Sequence, residues 1–244
     1  MKGMVDLMIM PKYIHPTWNP FLTEDVLKEI KLIESNLGSD FTPSNPDKIL
    51  RFLSANLEKV KVIWLGQDVY PSKEKATGRA FEVGDLQDWT DSFRQTSLKN
   101  IIRLINKNYY GIENYKEIKK FSQIKEEIKS NKFDLKPPHN WFESLEEQGV
   151  LFLNTSFTCE IGVPNSHRGL WSKFSQQVLE FISVNRPDIV WFLWGKEAIS
   201  NKKYINNGVF YESRHPSRVS ESYKDDFLKF EGFKETMEII NWLG

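Results

Sequence analysis

Val62-Ile63-Trp64-Leu65-Gly66-Gln67-Asp68-Val69-Tyr70-Pro71 is the stretch that decides the fold. Its first four residues form an apolar run too short for an ordinary helix. Val62 and Ile63 favour a strand, and Gly66 predicts where that strand stops. Asp68 and Tyr70 follow at once, where a buried strand would emerge at the carboxyl edge of a sheet. In open α/β folds ligands bind along that edge. Pro71 and Gly78, the latter opening Gly78-Arg79-Ala80-Phe81-Glu82-Val83, suggest a loop shaped to hold a site there.

Three more strands are expected downstream. Val150-Leu151-Phe152-Leu153 ends at Asn154, Ile189 to Leu193 is closed by Gly195, and Val209 to Glu212 ends at Ser213-Arg214-His215-Pro216-Ser217. Helical patterns separate them. Thr23 predicts an N-cap for a helix to about Leu37, ended by Gly38. Ser44-Asn45-Pro46 predicts a second start. Thr96 or Ser97 caps a helix carrying Leu98, Ile101, Ile102 and Ile105, Asn140 caps one from Trp141 to Gln148, and Ser172 caps one with Val178, Leu179 and Ile182. Phe233, Met237, Ile240 and Trp242 predict a final helix. Strands alternating with helices give an α/β fold. The expectation is a single-domain three-layer α/β/α arrangement over residues 1–244, with a central four-stranded, mostly parallel sheet. Residues 106–136 mix lysines with glutamates at helical spacing and are expected to form a charged excursion with a solvated face.

Composition sets outer limits. The 244 residues are 40% hydrophobic and 14% aromatic, enough for a sizeable core, and the formal net charge is +0. Overall charge therefore does not announce a nucleic-acid partner, although a local basic face remains compatible with it. Cys159 is the only cysteine; it can form neither an internal disulfide nor a cysteine-ligated cluster, and a small buried residue is expected. His15, His139, His167 and His215 are scattered, so no metal and no cofactor is predicted. Met1 to Met10 is interrupted by Asp6 and lacks a small-residue cleavage site. No apolar run is long enough to span a bilayer. These signs point to a cytoplasmic chain with no membrane partner.

Three of the four strands end in a residue capable of chemistry: Asp68, Asn154 and His215. Alone, each has a plainer role, as a helix cap, a turn residue or a satisfied core histidine. In a parallel sheet the three ends share one edge, and their co-occurrence is the signal.

Here the chain resembles the uracil-DNA glycosylases of the widespread bacterial, eukaryotic and viral type. Gly66-Gln67-Asp68-Val69-Tyr70 with Gly78-Arg79-Ala80-Phe81-Glu82-Val83 looks like their water-activating segment. Leu151-Phe152-Leu153-Asn154-Thr155 resembles their uracil-reading strand end, and His215-Pro216-Ser217-Arg218-Val219-Ser220 their DNA-intercalation loop. Trp141 to Gly149 and Trp191-Phe192-Leu193-Trp194-Gly195 are flanking matches. The likeness covers about Leu53 to Ser220.

The resemblance implies a monofunctional DNA repair glycosylase that flips deoxyuridine out of DNA and hydrolyses its N-glycosidic bond. Asp68 would orient water and oppose the oxocarbenium charge at C1′. His215 would donate to uracil O2 as the base departs; such a donor is worth about 2.7–4 kcal/mol at comparable oxyanion sites. Asn154 would read O4 and N3–H of uracil through one amide, a bidentate contact of a kind that discriminates by about 1–3 kcal/mol. Phe81 would stack on the ring, Tyr70 would exclude the methyl group of thymine, and backbone N–H groups at Gln67 and Asp68 would add to anion binding. Ser97, Ser217 and Arg218 would grip DNA, with Val219 as the wedge. The implied partner is uracil-containing DNA, bound by a monomer. A proteinaceous inhibitor or a replication partner is compatible with the resemblance.

Several positions depart from the family pattern. Val69 stands for proline and Pro71 for histidine, the resulting Tyr-Pro pair resembling poxvirus members. Arg79 replaces an apolar residue, Thr96-Ser97 a proline-serine clamp, and Arg218-Val219 a Pro-Leu pair. These changes bear on DNA grip and base flipping. The main rival is a catalytically weak or inactive relative that binds DNA or protein. A glycosylase for another damaged base is disfavoured by Tyr70 and Asn154. A nucleotide-binding enzyme is disfavoured by the lack of a Gly-rich phosphate loop.

Overall fold

The computed structural model describes residues 7–244. The reading of Met1 to Met10 falls mostly on residues 1–6, which lie outside the described residues. The elements run α1 (Glu24–Asn36), β1 (Phe41–Thr42), α2 (Pro46–Ile49), β2 (Val62–Asp68), α3 (Thr96–Tyr109), α4 (Phe121–Lys129), α5 (Pro138–Gln148), β3 (Val150–Ser156), β4 (Cys159–Glu160), α6 (Arg168–Asn185), β5 (Val190–Trp194), α7 (Lys196–Ser200), β6 (Val209–Ser213) and α8 (Gly232–Glu235).

Four strands form the central sheet in the order β3-β2-β5-β6, and every pair in it is parallel. β1 and β4 make a small antiparallel pair apart from it. Alternation along the strands feeds two cores. Ile63, Leu65, Leu151, Leu153, Trp191 and Leu193 face one core with residues of α1 and α6. Val62, Trp64, Val150, Phe152, Phe192 and Trp194 face the other, with residues of α3, α4 and α5 and the C-terminal segment. Burial on both faces explains why the strands read as continuous apolar runs. The three-layer α/β/α expectation holds.

β2 differs from expectation at Gly66. The strand does not stop there but runs to Asp68, with Gly66 opposite Asn154 and Asp68 opposite Ser156. The glycine answers a close approach and not a turn. A Cβ on it would lie 2.3 Å from Asn154 Oδ1 and 2.8 Å from the Ala80 Cβ.

Helix boundaries moved in several places. α1 is capped by Thr23 as expected, but Leu37 is already extended, so Gly38 does not terminate it. Thr96 is the first residue of α3, after an uncapped Gln95. α5 starts at Pro138, ahead of Asn140, and ends on Gly149 at φ 107°. α6 starts at Arg168, before Ser172. The final helix is a single turn. The Phe233 carbonyl accepts from the Trp242 indole at 3.0 Å, while the Met237 N–H goes to the Lys234 carbonyl at 3.3 Å, so the helical ladder is not continued.

Within 106–136, Ile118, Ile124 and Phe133 are buried in the second core, while Lys129 and Glu126 pair at the surface. Among the described residues no helix is long and apolar enough to cross a membrane. Cys159 is fully buried and free.

Candidate active site

The sheet creates a gap at its carboxyl edge. β2 pairs with β3 as far as Asp68, but with β5 only as far as Leu65. Past Leu65 one side of β2 has no strand partner. The chain passes from β2 to β3 on one side and to β5 on the other, so this gap is the topological switch point where open α/β sheets take their ligands. A cleft of about 530 Å³ opens there, within the size range of small-molecule sites.

Asp68, His215, Gln67, Tyr70, Phe81, Asn154 and Ser97 all line that cleft. They come from the ends of β2, β3 and β6, the loop after β2 and the first turn of α3. Ser217, Arg218 and Val219 do not line it. Ser217 and Arg218 are exposed on the loop beyond His215, and Val219 is half-buried against the second core.

Asp68 accepts a hydrogen bond at Oδ2 from the backbone N–H of Asn165, while its buried Oδ1 has no partner among the described residues. Burial raises the Asp68 pKa above its usual value, against the lowering effects of the Asn165 N–H, the Ser156 hydroxyl, the Val69 N–H and the charge of His167. Oδ2 is thus fixed, while Oδ1 is buried with no hydrogen-bond partner of good geometry among the described residues.

Asn165 is a site residue absent from the candidates named above. It sits at φ 63°, a conformation asparagine tolerates better than most residues. Its side-chain oxygen also accepts from Gln67 Nε2 at 2.8 Å. One turn residue therefore orients both Gln67 and Asp68. The signal was present in Pro164-Asn165, a turn dipeptide placed shortly after a strand end.

His215 is exposed toward solvent, yet the protein around the ring lowers its pKa. The Ser217 backbone N–H donates to its Nδ1 at 3.2 Å, and the Ser217 hydroxyl lies 2.8 Å from the same atom. A nitrogen that accepts from a backbone N–H carries no proton, so the neutral ring holds its proton on Nε2. His215 is thus set up as a neutral donor. Gly195, at φ 87°, lets the backbone pass close: a Cβ there would lie 2.9 Å from the His215 Cβ.

Asn154 is 3% exposed, and its amide makes no hydrogen bond with other described residues. A buried amide without partners costs free energy unless something fills that role. Phe81 stands at φ 69°, an uncommon and strained conformation for a bulky residue. Its ring packs 5.3 Å from Trp194 and 6.4 Å from His215 by ring centroids. Tyr70 is half-buried, and burial raises its pKa.

Beside Phe81 lies a buried ion network that the sequence flagged only as an odd Arg79. Arg79 NH1 donates to both Glu82 oxygens at 3.0 and 3.2 Å, and NH2 to Glu146 at 2.6 Å. Arg51 reaches the same Glu146 at 3.3 Å. The stem of Arg79 lines the cleft. Glu82 and Arg79 thus bracket Ala80 and Phe81 and hold that wall from behind.

The Cys159 thiol is pushed up to about 12, chiefly by burial, which leaves it a packing residue with no nucleophilic role. Among the described residues no three His, Cys, Asp or Glu side chains form a group that could hold a metal.

No protein-family model matches the chain. A uracil-DNA glycosylase of Francisella tularensis subsp. holarctica is 31% identical over 214 residues, covering 84% of this chain and 85% of the relative. One from Pseudomonas fluorescens is 32% identical over 219 residues, covering 85% and 82%. In fold, the crystal structure of the mimivirus uracil-DNA glycosylase aligns with a TM-score of 0.70 at 21% identity, over 97% of this chain and 86% of that one.

Proposed function

Because the chain belongs to the uracil-DNA glycosylase family, a DNA repair glycosylase by descent, we propose that its cleft releases uracil from DNA, with Asp68, Asn154 and His215 as the working residues. The observation that carries this reading is one of unspent hydrogen-bonding capacity. Asp68 Oδ1 and the Asn154 amide lack partners among the described residues, and His215 is anchored through Nδ1 alone. All three residues line one cleft, from three different strand ends.

The steps follow from charge. Uracil in DNA is stacked and paired, so it leaves the duplex before its C1′–N1 bond can be reached. In the cleft the Asn154 amide meets its polar edge, and Phe81 offers a flat apolar face. As the bond lengthens, the sugar gains positive charge and uracil negative charge. Asp68, ionised and fixed through Oδ2, opposes the first with Oδ1 and accepts a proton from the attacking water. His215 donates from Nε2 to the O2 of the departing base, a donor placed before the charge appears. Tyr70 fills the space that a 5-methyl group would need. Ser97, Ser217 and Arg218 grip the phosphates, Val219 enters the stack, and residues 1–244 act as one catalytic unit on uracil-containing DNA.

The direct test uses a short oligonucleotide carrying one deoxyuridine, with chelator present and a thymine control. The reading expects free uracil from the first and nothing from the control. Salt-sensitive binding to that oligonucleotide without uracil release would favour the non-catalytic relative instead. Tyr70→Ala is expected to start releasing thymine at a measurable rate; a variant still blind to thymine removes the steric gate.

A further inference from the structure

The segment 106–136 has no role in the chemistry above. We propose that it works with α3 as a frame that positions His215 and Val219 by gripping the loop between them at both ends, an inference that rests on the roles just assigned to those two residues.

The first grip is next to His215. Asn100 on α3 is 4% exposed. Its Nδ2 donates to the Pro216 carbonyl at 2.6 Å, and its Oδ1 accepts from Arg103 NH1 at 2.9 Å. Arginine has only donors, so Arg103 fixes which end of the amide faces Pro216. Arg103 is held in turn by the Lys119 carbonyl, which accepts from its Nε at 2.8 Å.

The second grip is next to Val219. Asp226 is 1% exposed. Its Oδ2 accepts from the Ser220 N–H at 2.6 Å, and its Oδ1 from the Leu228 N–H and the Tyr115 hydroxyl, both at 2.9 Å. A buried carboxylate needs donors of this kind to remain charged.

Both grips therefore end on the same excursion, one through Lys119 and the other through Tyr115. The loop's own hydrogen bonds are few: Arg218 N–H to the His215 carbonyl at 3.1 Å, and Ser217 to the His215 ring. Without outside support such a loop opens easily. A displaced catalytic donor is costly, since about 1 Å of misplacement can lower a rate about a hundredfold. None of Asn100, Arg103, Lys119, Tyr115 or Asp226 lines the cleft. They are positioning residues.

The test uses two variants of the full chain. Asn100→Asp keeps the shape and the Arg103 contact but turns an acceptor toward the Pro216 carbonyl. Tyr115→Phe removes one oxygen and is the milder change should the first fail to fold. Amide hydrogen exchange is followed in a peptide spanning 214–221, alongside single-turnover uracil release with enzyme in excess. Exchange in that peptide is expected to rise at least about tenfold in both variants, with exchange in β2 and β3 unchanged. Uracil release is expected to slow about tenfold to a hundredfold while DNA affinity holds within a few-fold. Unchanged exchange in 214–221 in a folded Tyr115→Phe protein would overturn the proposal, as would a rate loss that is entirely a loss of affinity. If wild-type protein released no uracil, the reading of the cleft would fail while the exchange result still decided whether the frame exists.

Discussion

Asp68 and Asn154 lie within paired strands, each held by a neighbouring strand in register. Ser217, Arg218 and Val219 lie on a loop tied down by a few side chains from elsewhere. The floor of the cleft is thus set by the sheet, and its DNA-facing rim by contacts that substitution can change piecemeal. The departures from the family pattern divide along the same line. The rim carries Thr96, Arg218 and Val219, all exposed or half-buried. Three departures, Val69, Pro71 and Arg79, line the cleft; the charged one, Arg79, is buried and came with partners: its side chain is 2% exposed and that of Glu82 3%. Change at the rim meets solvent, and a charge introduced into the buried wall requires a matched neighbour.

That contrast can be broken first by stability. Arg79→Leu leaves buried Glu82 with only His139, 3.3 Å from its Oε1, and should cost about 3–5 kcal/mol. Arg79→Leu with Glu82→Leu should recover most of that loss. Removing the exposed Arg214–Asp225 pair at the rim should cost less than about 1 kcal/mol. Urea unfolding of the three variants measures all of this, and equal costs for the wall and rim changes would abolish the distinction.

A pH–rate profile sharpens the floor itself. Asp68 works as a carboxylate, and burial raises its pKa above 3.8. Turnover should therefore fall about tenfold per pH unit below that raised value, at more acidic pH. His215 works neutral and its pKa is lowered below 6.5, so no activity should be lost as pH rises through 6.5. A fall on the alkaline side of 6.5 would mean that a charged imidazole is required.

Legibility in the sequence followed the same division. Three of the four strands were readable because both faces of the sheet are buried there, which leaves uninterrupted apolar runs at 62–65, 150–153 and 189–193; β6, at the sheet edge, is exposed or half-buried from Val209 to Glu212. The strand ends were readable because polar residues follow those runs directly. Gly66 was misread because its reason is tertiary, the Asn154 amide lying against it. The start of α6 at Arg168 was missed because the preceding His167 makes no side-chain cap bond. The apolar spacing at the C-terminus implies a longer helix than forms, because the Trp242 indole occupies the Phe233 carbonyl, a contact that periodicity does not register. Asn165 and the Arg79 network act through partners distant in the chain, so the Pro164-Asn165 turn and the odd Arg79 mark the positions without revealing the contacts.

The smallest expected effect on the rate belongs to the rim. Val219→Ala should slow release from duplex DNA about tenfold, a fraction of the few kcal/mol that unstacking a base step costs, and leave single-stranded substrate nearly unaffected. Equal losses on both substrates would remove the wedge role.

The central claim is tested most directly by Asp68→Asn in a single-turnover assay on a single-stranded oligonucleotide carrying one deoxyuridine, with binding measured in parallel. An amide keeps the shape of Asp68 and removes its charge. The account predicts a fall in uracil release of about 10²–10⁴-fold with DNA affinity within a few-fold of wild type. Release at the wild-type rate would contradict it, because the cleft would then be hydrolysing the bond without the carboxylate around which it is built.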